Sequence, residues 1–172
     1  MELPGTSYLY TLATLSITYG GFAALIIIFR QIIGGGVSEY DVFVIRAVLL
    51  RSFIVTGCAL LPPALVLFDL SHSIIWRLSS IVAAILQGLF VLTHRARRRV
   101  ATNVPAHRSS LIPIGLGAVT AIALLMNALG IFGEPAAGPF VIGVTAFLIL
   151  SFYAYLLQLE ILLRGNIEQK SE

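Results

Sequence analysis

The chain has 172 residues, of which 58% are hydrophobic and only 11% are charged. Soluble globular proteins carry about 25% charged residues, so this composition excludes a chain of this size folded in water. The net charge of +3 could indicate a nucleic-acid partner, but the positive charges lie beside apolar stretches, where membrane orientation explains them more simply. We therefore expect one all-α integral membrane domain over residues 1–172, with the lipid bilayer and not a nucleic acid as its partner.

Five apolar stretches are long enough for helices that cross a bilayer, which takes about 20 residues. The predicted transmembrane helices cover residues 8–33, 42–68, 73–93, 111–132 and 139–163. The second one exceeds the thickness of the hydrocarbon core, so it either tilts across the membrane or begins as a segment on its surface. Pro62 and Pro63 each remove an amide donor late in this helix, which predicts a kink.

The positive residues predict the orientation of the chain. Ten of the eleven Lys and Arg residues fall on one side of the predicted fold, and Arg77 is the exception. The positive-inside rule then places the N-terminus outside and the C-terminus in the cytoplasm. Because no Lys or Arg precedes the first stretch, it does not resemble a cleaved secretory signal. Compactness and the lack of other targeting signals favour a bacterial inner membrane.

A basic run follows the third predicted helix and contains Arg95, Arg97, Arg98 and Arg99. Its simplest interpretation is an anchor at the cytoplasmic interface. The alternative is contact with anionic lipids, which attract such clusters by about 1 kcal/mol per charge. RNA binding is a weaker alternative, because no aromatic residues alternate with the arginines to stack on bases. His94, beside this run, is expected to be an ordinary loop residue.

Among the ionisable residues in the predicted spans, Arg51 and Glu160 are the candidates for a pair or a functional role. Arg51 can extend to the cytoplasmic headgroups while Glu160 pairs with Arg164 four residues later. Alternatively, Arg51 and Glu160 form an ion pair between the second and fifth helices. A gate or a proton path is a third interpretation, because ionisable groups inside a membrane are functional candidates.

Uncharged polar residues recur at helical spacing within the spans. Such residues allow helices to approach closely and to hydrogen-bond, which is how we interpret most of them. Alternatively, Gln87, Asn127 and Gln158 line a polar path together with Thr18. The pattern in the first helix comprises Ser7, Thr11, Thr14, Thr18 and Gly21.

No catalytic triad, carboxylate pair or metal-ligand cluster stands out, and Cys58 is the only cysteine. We therefore expect neither an enzyme nor a bound metal or cofactor. The expected function is an interaction or accessory role in the membrane, with another membrane protein or further copies of the chain as partners. The alternative is an oligomeric channel or a small-solute transporter with a polar path between its helices.

Overall fold

The computed structural model describes residues 3–34, 39–101, 111–131 and 133–168. These residues form five α-helices joined by turns, and no strand occurs among them. The helices are α1 (Thr6–Gly34), α2 (Glu39–Val66), α3 (His72–Ala101), α4 (Leu111–Ala128) and α5 (Ala137–Glu168). The prediction of an all-helical chain is confirmed.

Four of the helices contain segments long and apolar enough to cross a membrane. These segments are Thr6–Ile26, Val42–Val66, His72–His94 and Ala137–Leu157. The remaining helix, α4, has 18 residues and a shorter apolar segment, Ile112–Ala128. At 1.5 Å per residue α4 is about 27 Å long, which lies near the lower limit for crossing the hydrocarbon core.

Helix α4 ends before the predicted boundary at residue 132 because a glycine turn stops it. Gly130 has a φ of 73°, in the left-handed region that glycine adopts without a steric penalty. The amide of Gly130 donates to the carbonyl of Asn127, and the amide of Ile131 donates to the carbonyl of Met126. This pair of bonds is the Schellman motif, which satisfies the last carbonyls of a helix.

Helix α3 continues to Ala101, beyond the predicted boundary at residue 93. The basic run from Arg95 to Arg99 therefore lies on the last turns of a helix and not in a loop. At the other end of α3, a short turn connects it to α2, with Asp69 at a φ of 54°. Pro62 and Pro63 lie inside α2 and deprive two carbonyls one turn earlier of their amide partners.

Helix α2 lies centrally and contacts α1, α3 and α5, whereas α1 packs mainly on α2. Consecutive helices run antiparallel. In α3 and α4, for example, Ser80 pairs with Asn127 and Gln87 pairs with Thr120, so residue numbers rise along one helix as they fall along the other.

Helices α1 and α5 run in the same direction. The hydroxyls of Tyr8 and Thr145 lie 3.1 Å apart, and further along both helices Tyr19 OH donates to the carbonyl of Ser151. The first and last helices of the bundle therefore start at the same end, as an odd number of alternating helices requires.

Two glycines allow close approach between neighbouring helices. A Cβ atom at Gly20 in α1 would lie 2.8 Å from the Ser52 Oγ of α2. A Cβ atom at Gly143 in α5 would lie 2.8 Å from both Cγ and Cδ2 of Leu124 in α4. These distances are shorter than van der Waals contact, so a larger residue at either position would require Ser52 or Leu124 to move.

The small and hydroxyl residues at 7, 11, 14, 18 and 21 lie on the outer face of α1 and are exposed in the single chain. The single chain therefore does not bury this stripe against its other helices, and contact of the stripe with a helix of another chain stays a prediction. Two of these hydroxyls form hydrogen bonds within α1: Thr11 donates to the carbonyl of Ser7, and Thr14 donates to the carbonyl of Tyr10. The inner face of α1 instead carries Ser16 and Gly20 among larger apolar residues.

Candidate functional site

Three polar residues of α3 lie on one buried face. Ser80, Gln87 and His94 are seven residues apart, and their exposed fractions are 0%, 0% and 7%. Because seven residues are close to two helical turns, these side chains fall on one line along the helix, about 21 Å long. Its length is about two-thirds of the thickness of a hydrocarbon core, which is about 30 Å.

Gln87 is at the middle of this line and contacts α4. The single hydroxyl hydrogen of Thr120 is shared between two acceptors, Gln87 Oε1 at 3.2 Å and the carbonyl of Gly117 at 2.8 Å. Among the described residues, no acceptor lies within reach of Gln87 Nε2. The amide therefore joins α3 to α4 through one hydrogen bond only.

Asn127 makes the densest set of hydrogen bonds near the other end of the line. Its Nδ2 donates to Ser80 Oγ on α3 at 2.9 Å and to the carbonyl of Ala136 at 3.2 Å. Its Oδ1 accepts from the amide of Ala136 at 3.3 Å. Asn127 thus holds α4 against α3 and fixes the residue that precedes α5, which explains why an amide is buried at this position.

Arg51 of α2 is 7% exposed, so it does not extend freely from the bundle. Its guanidinium carbon lies 4.7 Å from the centroid of the Phe90 ring, in the geometry of a cation–π contact. Phe90 in turn packs edge-on against Phe147 of α5, with the centroids 5.9 Å apart. Arg51 also makes interactions beyond this ring, so it is integrated into the packing of α2, α3 and α5.

His94 was expected to be a loop residue, and that expectation is wrong. It lies in α3, is buried, and packs with its ring centroid 6.0 Å from Phe43 and 6.5 Å from Phe90. The cause is the continuation of α3 past the predicted boundary, which keeps His94 in register with Gln87 and Ser80. The seven-residue spacing in the sequence could have revealed this.

Two further contacts join α1 to the bundle and were not singled out by the sequence. Tyr19 OH donates to the carbonyl of Ser151 at 2.9 Å, and the Tyr19 ring packs on Phe152. Ser16 Oγ donates to the carbonyl of Ser52 at 3.0 Å. Both donors bond to backbone carbonyls, and a sequence pattern of side chains carries no signal for such acceptors.

The structure brings together only part of the predicted set. Gln87 and Asn127 lie on the α3–α4 interface, whereas Arg51 of α2 packs over the ring of Phe90. The other predicted residues belong to helices, but their side chains lie outside those that the structure describes. They are Gln158 and Glu160 of α5 and Arg95, Arg97, Arg98 and Arg99 of α3.

A small cavity of about 10 Å³ lies where α2, α3, α4 and α5 meet, with Arg51, His94 and Ser151 among its lining residues. No group of three or more His, Cys, Asp and Glu residues that could hold a metal ion occurs in the described part of the chain. Comparisons with protein-family models, curated proteins and solved structures give no match to this chain.

Proposed function

We propose that the chain is a bacterial inner-membrane protein that crosses the bilayer five times and has an interaction or accessory role. The observation that carries the proposal is how the buried polar groups are used. The bond that Thr120 donates to Gln87 and the bond that Asn127 donates to Ser80 both connect α3 to α4. Polar side chains of this kind stabilise the association of membrane helices.

The directions of the helices support an odd number of crossings. The parallel arrangement of α1 and α5 agrees with an N-terminus outside and a C-terminus in the cytoplasm, which the distribution of Lys and Arg predicts. The length of α4 supports a fifth crossing, because 18 residues fall within the range of 17 to 25 that crosses a bilayer.

A flux assay separates this role from transport. Liposomes that contain the purified protein are loaded with a panel of ions and small solutes. Release of these solutes is compared with release from protein-free liposomes. The proposed role predicts equal release from both. Release above the protein-free level would reject it and would favour the alternative of an oligomeric channel or a transporter.

Solvent access to the buried polar residues of α3 and α4 gives a second test. Single cysteines replace Gln87 or Asn127 in a chain that lacks Cys58, and a membrane-impermeant thiol reagent is added from either side. Both positions are buried, so we expect no labelling before unfolding. A matched exposed control is Thr18→Cys on the outer face of α1, labelled after the protein is transferred to detergent. Rapid labelling at residue 87 or 127 would indicate a hydrated path.

We also propose that Arg95, Arg97, Arg98 and Arg99 contact anionic lipid headgroups as well as anchoring the cytoplasmic end of α3. Replacement of all four by Gln removes the charge while retaining hydrogen-bonding side chains. With insertion preserved, reduced retention of phosphatidylglycerol or cardiolipin during purification is the expected result. Unchanged retention would assign these arginines to orientation alone.

A further inference from the structure

Arg77 is a charged residue on the exposed surface of α3, inside the apolar segment His72–His94. The basic run from Arg95 to Arg99 occupies the last turns of the same helix, about 27 Å further along its axis. Arg77 therefore lies near the opposite membrane surface. We propose that its guanidinium binds the phosphate of one phospholipid in the leaflet that faces away from the basic run. The proposal requires α3 to cross a membrane but is independent of the accessory role.

No counterion for Arg77 occurs in the part of the chain that the structure describes. Asp69 and Glu134 are the acidic residues in the turns at this end of the bundle, and both are exposed. Neither carboxylate forms an ion pair with Arg77 among the described residues. A guanidinium stays protonated in proteins, so loss of a proton does not remove its charge. Since an unpaired charge at membrane depth is costly, the anion that pairs with Arg77 comes from outside the described residues.

The surface of α3 beside Arg77 is apolar. Ile74 and Leu78 are 45% and 40% exposed, and both lie within one turn of Arg77. A free anion gains nothing from such neighbours, whereas the acyl chains of a lipid pack against them. One charge beside exposed aliphatic side chains therefore complements an amphiphile, which carries an anionic group and hydrocarbon in one molecule.

The end of α4 continues this apolar surface. Ser80 on α3 bonds to Asn127 on α4, and the two helices run antiparallel. Arg77 precedes Ser80 by three residues, so its level in the bundle corresponds to the glycine turn three residues after Asn127. The two residues that flank this glycine, Leu129 and Ile131, are 66% and 58% exposed. Both helices therefore present apolar surface to hydrocarbon at the level of the charge.

The position of Arg77 along α3 matches the depth of lipid phosphates. It lies five residues after His72, the first residue of the helix, which is about 7.5 Å along the axis. Helical side chains lean toward the N-terminus of their helix, and for α3 this is the nearer membrane surface. A long arginine side chain extends from such a depth to the headgroups. There its planar fork can form two parallel hydrogen bonds with a phosphate, which every phospholipid carries.

Lipid-dependent melting of the full-length protein in detergent tests the proposal, with labelling of the buried Cys58 as the reporter of unfolding. Wild type and Arg77→Gln are each measured before and after addition of phosphatidylglycerol. Because a ligand that binds the folded state stabilises it, the lipid should raise the melting temperature of wild type by at least about 2 °C more than that of Arg77→Gln. The basic run is present in both proteins, so its own lipid contacts cancel from this difference.

Two additives separate the lipid from its parts. Diacylglycerol with the same acyl chains lacks the phosphate, inorganic phosphate lacks the chains, and neither should reproduce the difference between the two proteins. Equal gains from phosphatidylglycerol in wild type and Arg77→Gln would overturn the proposal, as would a difference that either additive reproduces.

If Arg77→Gln does not fold, a structure of the wild-type protein in lipid nanodiscs decides. Phosphate oxygens about 2.7–2.9 Å from the Arg77 nitrogens are the expected result. A carboxylate of the protein in that place, or no density there, would overturn the proposal.

Discussion

Replacing Asn127 by Leu tests whether the buried polar groups serve to join helices. Leucine has a similar size but can neither donate nor accept a hydrogen bond. The substitution removes three bonds at once: one to Ser80 on α3 and two to the backbone of Ala136. Because Ser80 is fully buried, water does not reach its hydroxyl to replace the bond that Asn127 donates.

The expected loss follows from these contacts. Hydrogen bonds between side chains in membrane proteins contribute about 0.6 kcal/mol each on average, so three bonds contribute about 2 kcal/mol. Ala136 is exposed, so its backbone groups recover part of this by bonding to water. We therefore expect Asn127→Leu to reduce the free energy of unfolding by about 1–2 kcal/mol, which lowers the melting temperature by about 2–8 °C.

The assay uses a reporter that the chain already contains. Cys58 is fully buried, so a thiol-reactive fluorophore labels it only on unfolding. Ser80→Ala is the matched control, because it removes only one of the three bonds and should cost about a third as much. A melting temperature of Asn127→Leu at or above the wild-type value would refute the assignment of Asn127 to helix association.

Three further predictions concern other parts of the packing. Gly143→Ala should reduce the free energy of unfolding by about 1–3 kcal/mol in the same assay, because the close approach of α4 and α5 leaves no room for a methyl group. Gly57→Ala is the control, since open space surrounds this position and alanine should stabilise the helix slightly. Equal effects of the two substitutions would contradict the observed packing. Gln87→Met should change the free energy of unfolding by less than about 1 kcal/mol, since only one hydrogen bond is lost. A loss as large as that predicted for Asn127→Leu would contradict this account of Gln87. If Arg51 and Glu160 pair, Glu160→Gln should lower the melting temperature and a charge swap should partly restore it. Equal losses in the single and double variants would reject this pair.

The helices could be predicted from the sequence because long apolar runs have few alternatives in a membrane. The predicted ends of the helices are less accurate than their number. Hydropathy placed the end of α3 where the charges begin, near residue 93, but arginines are good helix formers and the helix continues to Ala101. At α4 the reverse occurred, since a glycine at position 130 ends the helix while the sequence is still apolar.

The sequence predicts which polar residues are buried better than it predicts their hydrogen-bond partners. The positions of Gln87 and Asn127 within apolar stretches identified both as interior groups, and both are buried. Their partners depend on how α3 and α4 are rotated about their axes, which the sequence of either helix alone does not determine. The same limitation explains the outer stripe of α1. Its regular spacing indicated one face but could not indicate that the opposite face, with Ser16 and Gly20, contacts α2.

The most direct test of the account is the location of the two ends of the chain. Reporters that are active in only one compartment can be fused to each terminus of the full-length protein in a bacterial host. Five crossings with the positive residues inside predict that the N-terminal fusion reports from the outside and the C-terminal fusion from the cytoplasm. Signals from one and the same compartment at both ends would require an even number of crossings and would contradict the arrangement on which the proposed function depends.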